Sequence, residues 1–428
     1  MSDVRAAFYG DDITGSVDAL LQFAREGWRG RLFVGVPGSD ALATATDDCD
    51  VIGIAGIARS LRTDDLEAEV RPALVALLAL DPAIIQYKAC STADSSPQIG
   101  SLGRVLEIGR DVVGEHSVPM LFAQPDFGRY TVFGHHFASE GGAVYRLDRQ
   151  PTMSTHPSTP MTESDLALHL SRQTRLPIGA FHVTGYNSAA AIAARLGGDD
   201  DAAVVLDAVD DGHLRMVGDA LVALPRPVFA IGSGGLSRAI AMAAGSGTVA
   251  LPTATPARGP VIAVSGSLSP QTRRQMDAAA RAGWHVGELP LDASGRAERI
   301  TDVIADLAAG RSVALTAADA AADEHADLLG AIAESAATIV RAVAVKGAAS
   351  RVIICGGDTS GRVASLLGTT SLTIAANPWD NVVLLRAHAT APGIDGLELI
   401  LKGGQVGSDD LFERVRELGL IPIPRRPA

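Results

Sequence analysis

The sequence is short of cations: 36 Lys and Arg stand against 49 Asp and Glu, giving a net charge of −13 and a pI near 5.2. That balance argues against a nucleic-acid or anionic-membrane surface and leaves room only for local basic pockets, so the expected partner is a small molecule. Cysteine is scarce too. Cys49, Cys90 and Cys355 are odd in number and lack paired spacing, which excludes a disulfide framework and a zinc site and fits a reducing cytoplasm. The opening MSDVRAAFYGDD has no basic stretch leading into an apolar one, and nowhere do 18 apolar residues run uninterrupted. Neither secretion nor membrane spanning is expected from such a chain. The dipeptide Gly-Lys never occurs, which removes a P-loop NTPase. GSGGLS, starting at Gly232, puts Ser237 where the third glycine of a dinucleotide fingerprint belongs, so an NAD(P)-linked sugar-acid dehydrogenase is only an alternative. There is no low-complexity tail and no solenoid period.

What the chain has is alternation. At 428 residues and 47% apolar it is long enough for two or three cores. Short β-branched runs alternate with longer Ala-rich amphipathic segments, the pattern of an α/β fold with largely parallel sheets. Strands are predicted at VRAAFYG, RLFVGVP, DVIGIAG, AIIQYKA, PMLFAQP, IGAFHVTG, AAVVLDAV and PVFAIGS. After a Pro- and Thr-rich bridge the alternation restarts at PVIAVSG, HVGELPL, RSVALTA and RVIICGG, then a strand pair around LTIA and NVVLLRA, then LELILKGG. The expected organisation is an N-terminal domain over 1–245, a linker over 246–259 and a C-terminal domain over 260–428.

In open α/β sheets ligands bind at the carboxyl ends of strands, so the strand-to-helix turns carry the functional signal. Four stand out: Gly10 to Ser16, Gly232 to Gly235, Ser265 to Ser269 and Gly356 to Ser360. A fifth Gly-rich corner, KGGQVGSDD, begins at Lys402. Backbone amides of Gly/Ser turns that open helices can cradle phosphate, and the alternative reading of each is plain turn chemistry. Together they supply the parts of phosphoryl transfer: amides, the Lys402 cation, the Asp358 carboxylate and the Thr359 hydroxyl.

The first domain offers other groups past its strands: Asp11, Asp12, Arg59, Lys88, Ser91, Thr92 and Asp94. Cations beside hydroxyls and carboxylates suit a small polyhydroxy acid, although each could instead cap a helix or face solvent. That alternative applies to Asp11 and Asp12 ahead of ITGSVDAL, and to Asp94 and Ser95 ahead of SPQIG. The stretch from Gly128 to Leu166, rich in His, Arg, Thr and Pro, reads as a functional loop or excursion. His135 and His136 within it lack ligand spacing, so packing or substrate hydrogen bonding is expected of them and no metal site. Thr162 to Asp165 reads as a capped helix start, Cys355 as core, and Cys90 lacks a recognisable His and Asn arrangement for thiolate catalysis.

Taken together, GDDITGSVDAL, VSGSLSPQTRRQ, GGDTSGRVA and LKGGQVGSDDLF resemble the four-carbon acid sugar kinase family over nearly the whole chain. GRYTVFGHHFA, YRLDRQPTMSTHPSTPMTESDLALHLSRQT and IGSGGLSRA widen the match. The resemblance implies an ATP-dependent kinase, with Mg²⁺, whose N-terminal domain binds an acid sugar and whose C-terminal domain binds the nucleotide, the active site lying in an interdomain cleft. By position it implies nucleotide contacts at Ser265, Ser267, Gly356, Gly357, Asp358, Thr359, Gly403 and Gly404, and acid contacts at Asp11, Asp12, Arg59 and Lys88. Lys402 and Ser91 join these sets from their own chemistry. Asp358 and Asp12 are the two candidate bases. A DSTLRG-like segment of many relatives is replaced here by a stretch with Asp94-Ser95-Ser96-Pro97 and no Arg-Gly. That departure points away from a plain threonate or erythronate kinase toward 3-oxo acid sugars, including a branched one such as 3-oxo-isoapionate. Expected partners are the acid sugar and ATP, with a homodimer as the assembly considered and a ligand-binding regulator as the non-enzymatic alternative.

Overall fold

The computed structural model describes residues 4–245, 250–257, 259–317, 327–379 and 382–418. It divides into two compact units, Met1–Ala250 and Leu251–Ala428. Part of the expected linker, residues 246–249 and 258, lies outside the described residues.

The first unit starts with β1 (Ala6–Gly10), α1 (Ile13–Arg25), β2 (Gly30–Val34), α2 (Ser39–Thr46), β3 (Val51–Ala55), α3 (Leu66–Leu78) and β4 (Ile84–Lys88). It continues through α4 (Leu102–Val113), β5 (Val118–Leu121), β6 (Arg129–Val132), β7 (His135–Glu140), β8 (Ala143–Arg146), α5 (Pro151–Ser154) and α6 (Leu166–Ser171). β9 (Ile178–Phe181), α7 (Ala189–Leu196), β10 (Ala203–Leu206), α8 (Asp211–Val222), β11 (Val228–Gly232) and α9 (Gly234–Ala243) complete it. Eight strands form a parallel sheet in the order β2-β3-β1-β4-β11-β5-β10-β9. β1, β3, β4 and β11 are buried along their length, which is why they read as unbroken apolar runs rather than alternating ones. α1 is amphipathic: Ile13, Val17, Leu20 and Leu21 repeat at helical spacing and are buried.

The second unit runs β12 (Ile262–Ser265), α10 (Pro270–Arg281), β13 (His285–Glu288), α11 (Ala293–Ala308), β14 (Val313–Thr316) and α12 (Leu328–Val345). Then come β15 (Arg351–Cys355), α13 (Gly357–Leu366), β16 (Thr369–Trp379), β17 (Val382–Ala389), β18 (Glu398–Lys402) and α14 (Leu411–Glu417). The order β13-β14-β12-β15-β18-β17-β16 is parallel as far as β18 and antiparallel beyond. A buried ion pair, Arg351 with Glu398 at 2.7 Å, ties β15 to β18, and the same guanidinium donates to the carbonyl of Thr255 at 2.8 Å. α12, with 18 residues, is long and apolar enough to cross a membrane by length and composition, and half of it is buried within the protein.

The strands appear where the sequence places them, with one correction. The excursion after β5 is not a loop but a three-stranded antiparallel sheet, β6-β7-β8, with a small core of Ala138, Leu147, Met153 and Met161. Its strands are short and separated by glycine turns at Gly134, Gly141 and Gly142, so no sustained period marked them.

Candidate functional site

Parallel register sets the first group of polar side chains. Gly10 at the end of β1 lies opposite Ala55 of β3 and Lys88 of β4, so the turns that follow all open at one edge of the sheet. Asp12 is the N-cap of α1: its Oδ1 accepts from the Gly15 amide at 2.8 Å and its Oδ2 from the Thr14 hydroxyl at 2.6 Å. Asp11 is only 2% exposed and faces Arg59, which donates through Nη2 at 2.6 Å and Nε at 3.3 Å. Arg59 Nη2 also pairs with Asp12 at 2.9 Å. Lys88, likewise buried, donates to the Ala89 carbonyl and lies 3.9 Å from Asp18. Gly15 is the meeting point. A Cβ there would stand 2.5 Å from Asp12 Oδ1, 3.1 Å from Lys88 Nζ and 3.3 Å from Arg59 Nη2.

The two aspartates titrate in opposite directions. Burial pushes the Asp11 carboxyl up, with Arg59 opposing and Asp12 adding to the rise. Burial would push Asp12 up as well, but Arg59, the Thr14 hydroxyl, Lys88 and the Gly15 amide outweigh it and hold Asp12 below the usual carboxylate range. Asp12 is therefore ionised at neutral pH, and its bonds to Gly15, Arg59 and Thr14 leave acceptor capacity on Oδ2.

Ser91 sits in the turn after β4 and is buried; no bond joins it to the Asp12 cluster, and its backbone borders the ring of His136. Asp94 and Ser95 cap no helix. Asp94 accepts from the Thr159 hydroxyl, Ser95 Oγ meets His169 Nε2 at 3.1 Å and Gln173 Nε2 at 2.9 Å, and Ser101 caps α4 instead. The neighbouring Ala93 holds φ at +50°, a left-handed conformation, and its carbonyl accepts from Ser95 Oγ at 2.8 Å. Asp165 does cap α6, accepting from the Leu168 amide at 3.1 Å. The GSGG turn packs inward: Ser233 and Ser237 are fully buried, and a Cβ on Gly235 would meet the Ala123 carbonyl at 1.9 Å. A Cβ on Gly234 would stand 2.2 Å from Asp18 Oδ2, so the turn is closely packed against that side chain and the segment after β5.

In the second unit three turns converge because Ser265, Cys355 and Lys402 share one register row across β12, β15 and β18. Serines step through the first turn, Ser265 Oγ accepting from the Ser267 amide, Ser267 Oγ from Ser269 and Ser269 Oγ from Gln271, at 3.1 to 3.2 Å. Gly356 precedes α13 with φ at +114°, which a side chain would resist. Gly357, Asp358 and Thr359 make the first helical turn; Thr359 is buried and Asp358 exposed. Gly403 and Gly404 follow Lys402, and a Cβ on Gly404 would stand 2.4 Å from Ser267 Oγ. Lys402, 2% exposed, donates to Thr272 Oγ1 at 3.2 Å and to the Gly404 carbonyl at 3.5 Å. No carboxylate pairs with it among the described residues. Burial pushes the adjacent Cys355 thiol up, with Lys402 opposing.

Asp18, Gln124 and Thr272 escaped the sequence reading. Asp18 accepts from Gln124 Nε2 at 3.2 and 3.3 Å and lies one turn beyond Gly15, an i, i+3 spacing that could have marked it. Thr272 stands in the same relation to Ser269. A separate cavity of about 390 Å³, bordered by Arg110, His116, Pro177 and Phe229, opens at the amino ends of β5, β9 and β11, the wrong ends for this chemistry.

Burial lowers His136 to about 3 and His169 to about 4. Both stay neutral in the fold, while the unfolded chain protonates near pH 6.5. The unfolded state thus binds more protons in that window, and stability present above pH 6.5 is lost as pH falls. By pH 5 each histidine costs about 2 kcal/mol. Calorimetry between pH 7 and 5 should show Tm falling in wild type and falling less in His169→Gln; equal slopes would exclude His169.

A family model described as a sugar-binding N-terminal domain matches residues 6–240, and one described as a nucleotide-binding C-terminal domain matches residues 262–412. The 3-oxo-isoapionate kinase of Paraburkholderia graminis is 37% identical over 445 residues, covering 96% of this chain and 94% of that protein. The 3-oxo-tetronate kinase of Methylobacterium radiotolerans is 31% identical, covering 95% and 97%. A Salmonella typhimurium structure described as a putative tRNA synthase aligns at a TM-score of 0.78 with 25% identity, over 97% of this chain and 99% of that one.

Proposed function

Because the chain belongs to the four-carbon acid sugar kinase family, we propose that it transfers the γ-phosphoryl group of ATP to a terminal hydroxyl of a small 3-oxo acid sugar. The observation that carries this reading is the convergence of three Gly/Ser turns on the row Ser265, Cys355 and Lys402. Ser265, Ser267, Gly356, Gly357, Thr359, Gly403 and Gly404 line that convergence and are assigned to the nucleotide, with Lys402 as the buried cation beneath it. Asp358, exposed at the start of α13, is the group best placed to hold Mg²⁺ on the phosphates. One protein carboxylate beside bound phosphates is an ordinary way to hold Mg²⁺, which keeps several of its waters. Bound Mg²⁺ would neutralise charge on the transferring phosphoryl group.

Asp12 and Lys88 are assigned to the hydroxyl end of the acid, Ser91 in the turn after β4 is kept as a further substrate contact, and Asp11 holds Arg59 in place. Asp12 has the acceptor capacity to take a substrate hydroxyl, and a loose phosphoryl-transfer transition state asks for orientation more than a strong base. Identity of 37% with a 3-oxo-isoapionate kinase supports a branched 3-oxo acid, and 31% with a 3-oxo-tetronate kinase supports the linear one. An ADP-release assay over 3-oxo-isoapionate, 3-oxo-tetronate, threonate and erythronate should give turnover with the 3-oxo acids first. Stabilisation by NAD but not by ATP with Mg²⁺, without ADP formation, would sink the reading in favour of a dehydrogenase.

A further inference from the structure

A charge census around α1 leaves the substrate's own carboxylate without an anchor. Asp11, Asp12 and Asp18 bring three carboxylates against two cations, Arg59 and Lys88. Arg59 spends Nε and Nη2 on the two aspartates, and Lys88 is shared between Asp18 and a carbonyl. Such a cluster accepts hydroxyl protons well and repels a fourth carboxylate. An acid sugar must be held elsewhere at that end.

Arg129 supplies a cation of the required kind. It opens β6, and its backbone pairs both ways with Gln124, at 2.9 and 3.1 Å, while the Gln124 side chain reaches Asp18. Its backbone is thus joined through Gln124 to Asp18, while its guanidinium lies over the Phe127 ring, 5.2 Å from the centroid. Its Nη1 donates to the carbonyls of Phe127, Gly128 and Ser139 at 3.1 to 3.3 Å, and its buried Nε has no partner. No carboxylate pairs with it among the described residues; Glu140, the acid within electrostatic reach, is engaged by Gln150 and Thr152. Burial, opposed by Cys90 and Glu140, draws the guanidinium below its ordinary value, the mark of a desolvated cation lacking a counter-ion. Cys90, two residues after Lys88, lies within electrostatic reach of both Arg59 and Arg129, so the turn after β4 runs between the two.

Resting on the kinase reading above, we propose that Arg129 is the carboxylate anchor of the acid sugar, gripping it at one end while Asp12 and Lys88 take the hydroxyl end. The three-stranded excursion is then the part of the fold that reads the acid as an acid. A planar guanidinium suits this task, because it meets a carboxylate through two parallel N–H bonds.

The test compares the best acid of the panel with its C1 primary amide, in which the charge is gone. Arg129→Gln should raise KM for the acid by about 100-fold, the scale of a lost charge-assisted pair. KM for ATP should stay within about twofold of wild type, which also shows that the variant folds, and kcat/KM for the amide should fall by no more than about tenfold, since its carbonyl can still accept from Arg129. Arg129→Lys, which keeps the charge without the fork, should fall between the two. An unchanged KM for the acid, an ATP KM that rises in step, or an equal loss with the amide would each overturn the assignment. If wild type turned over no acid at all, the kinase reading would fall separately; the anchor would then be judged by binding, and equal thermal shifts by the acid in wild type and Arg129→Gln would overturn it.

Discussion

Replacing Lys402 by Met should raise the KM for ATP by about 100-fold and lower kcat, while leaving the Tm unchanged or higher. The two halves of that result have one cause. Lys402 is a buried ammonium at the end of β18 whose hydrogen bonds go to Thr272 and a carbonyl, not to a carboxylate. An uncompensated buried charge opposes folding, and a side chain of similar length without the charge removes that cost. On the proposed assignment, the same charge, next to the Gly403-Gly404 turn, would attract phosphate oxygens of the nucleotide. On the proposed role, the lysine is kept at a cost in stability for the sake of activity. A structural lysine would behave in the opposite way: Lys402→Met would lower the Tm and leave the ATP KM untouched. That outcome would take Lys402 out of the nucleotide site.

What the sequence could and could not disclose follows from the range of each interaction. Runs such as AAFYG and RVIIC name their strands because burial on both faces demands continuous apolar residues, and the Gly/Ser turns announce themselves next to those runs. The register row of Ser265, Cys355 and Lys402 then follows from three strands being parallel neighbours. Pairings across long sequence separations left no such mark. Arg59 closes on Asp11 from 48 residues away, and Asp18 meets Gln124 from 106 residues away; neither partner shows a periodic signal. The same holds for Arg129, whose lack of a counter-ion becomes visible only once β6 is folded beside Gln124. The GSGG turn illustrates the converse. Its composition matches a phosphate turn, yet its glycines admit the Ala123 carbonyl and the Asp18 carboxylate, and close packing explains them.

Asp12→Asn separates capping from chemistry at the Asp11-Asp12 pair. Asparagine is as good an N-cap as aspartate, so the bond from the Gly15 amide survives and α1 keeps its start. Arg59 retains Asp11, to which it donates twice, so the partly buried guanidinium keeps a counter-ion. The Tm should therefore move by only a few degrees. What disappears is the charge on Oδ2 and its power to accept a substrate hydroxyl proton, and kcat should fall by about 100- to 1,000-fold with little change in the KM for ATP. Since Asp12 titrates below the usual carboxylate range, its protonation should not slow the wild-type rate as pH drops from 7 toward 5, apart from the losses due to the two buried histidines. Should Asp12→Asn raise only the KM for the acid while kcat at saturation is kept, Asp12 orients the sugar and does not take its proton. The proton acceptor would then be sought at Asp358, whose Asp358→Asn variant should show the kcat loss instead. If both variants kept full turnover at saturation, neither carboxylate would be the base.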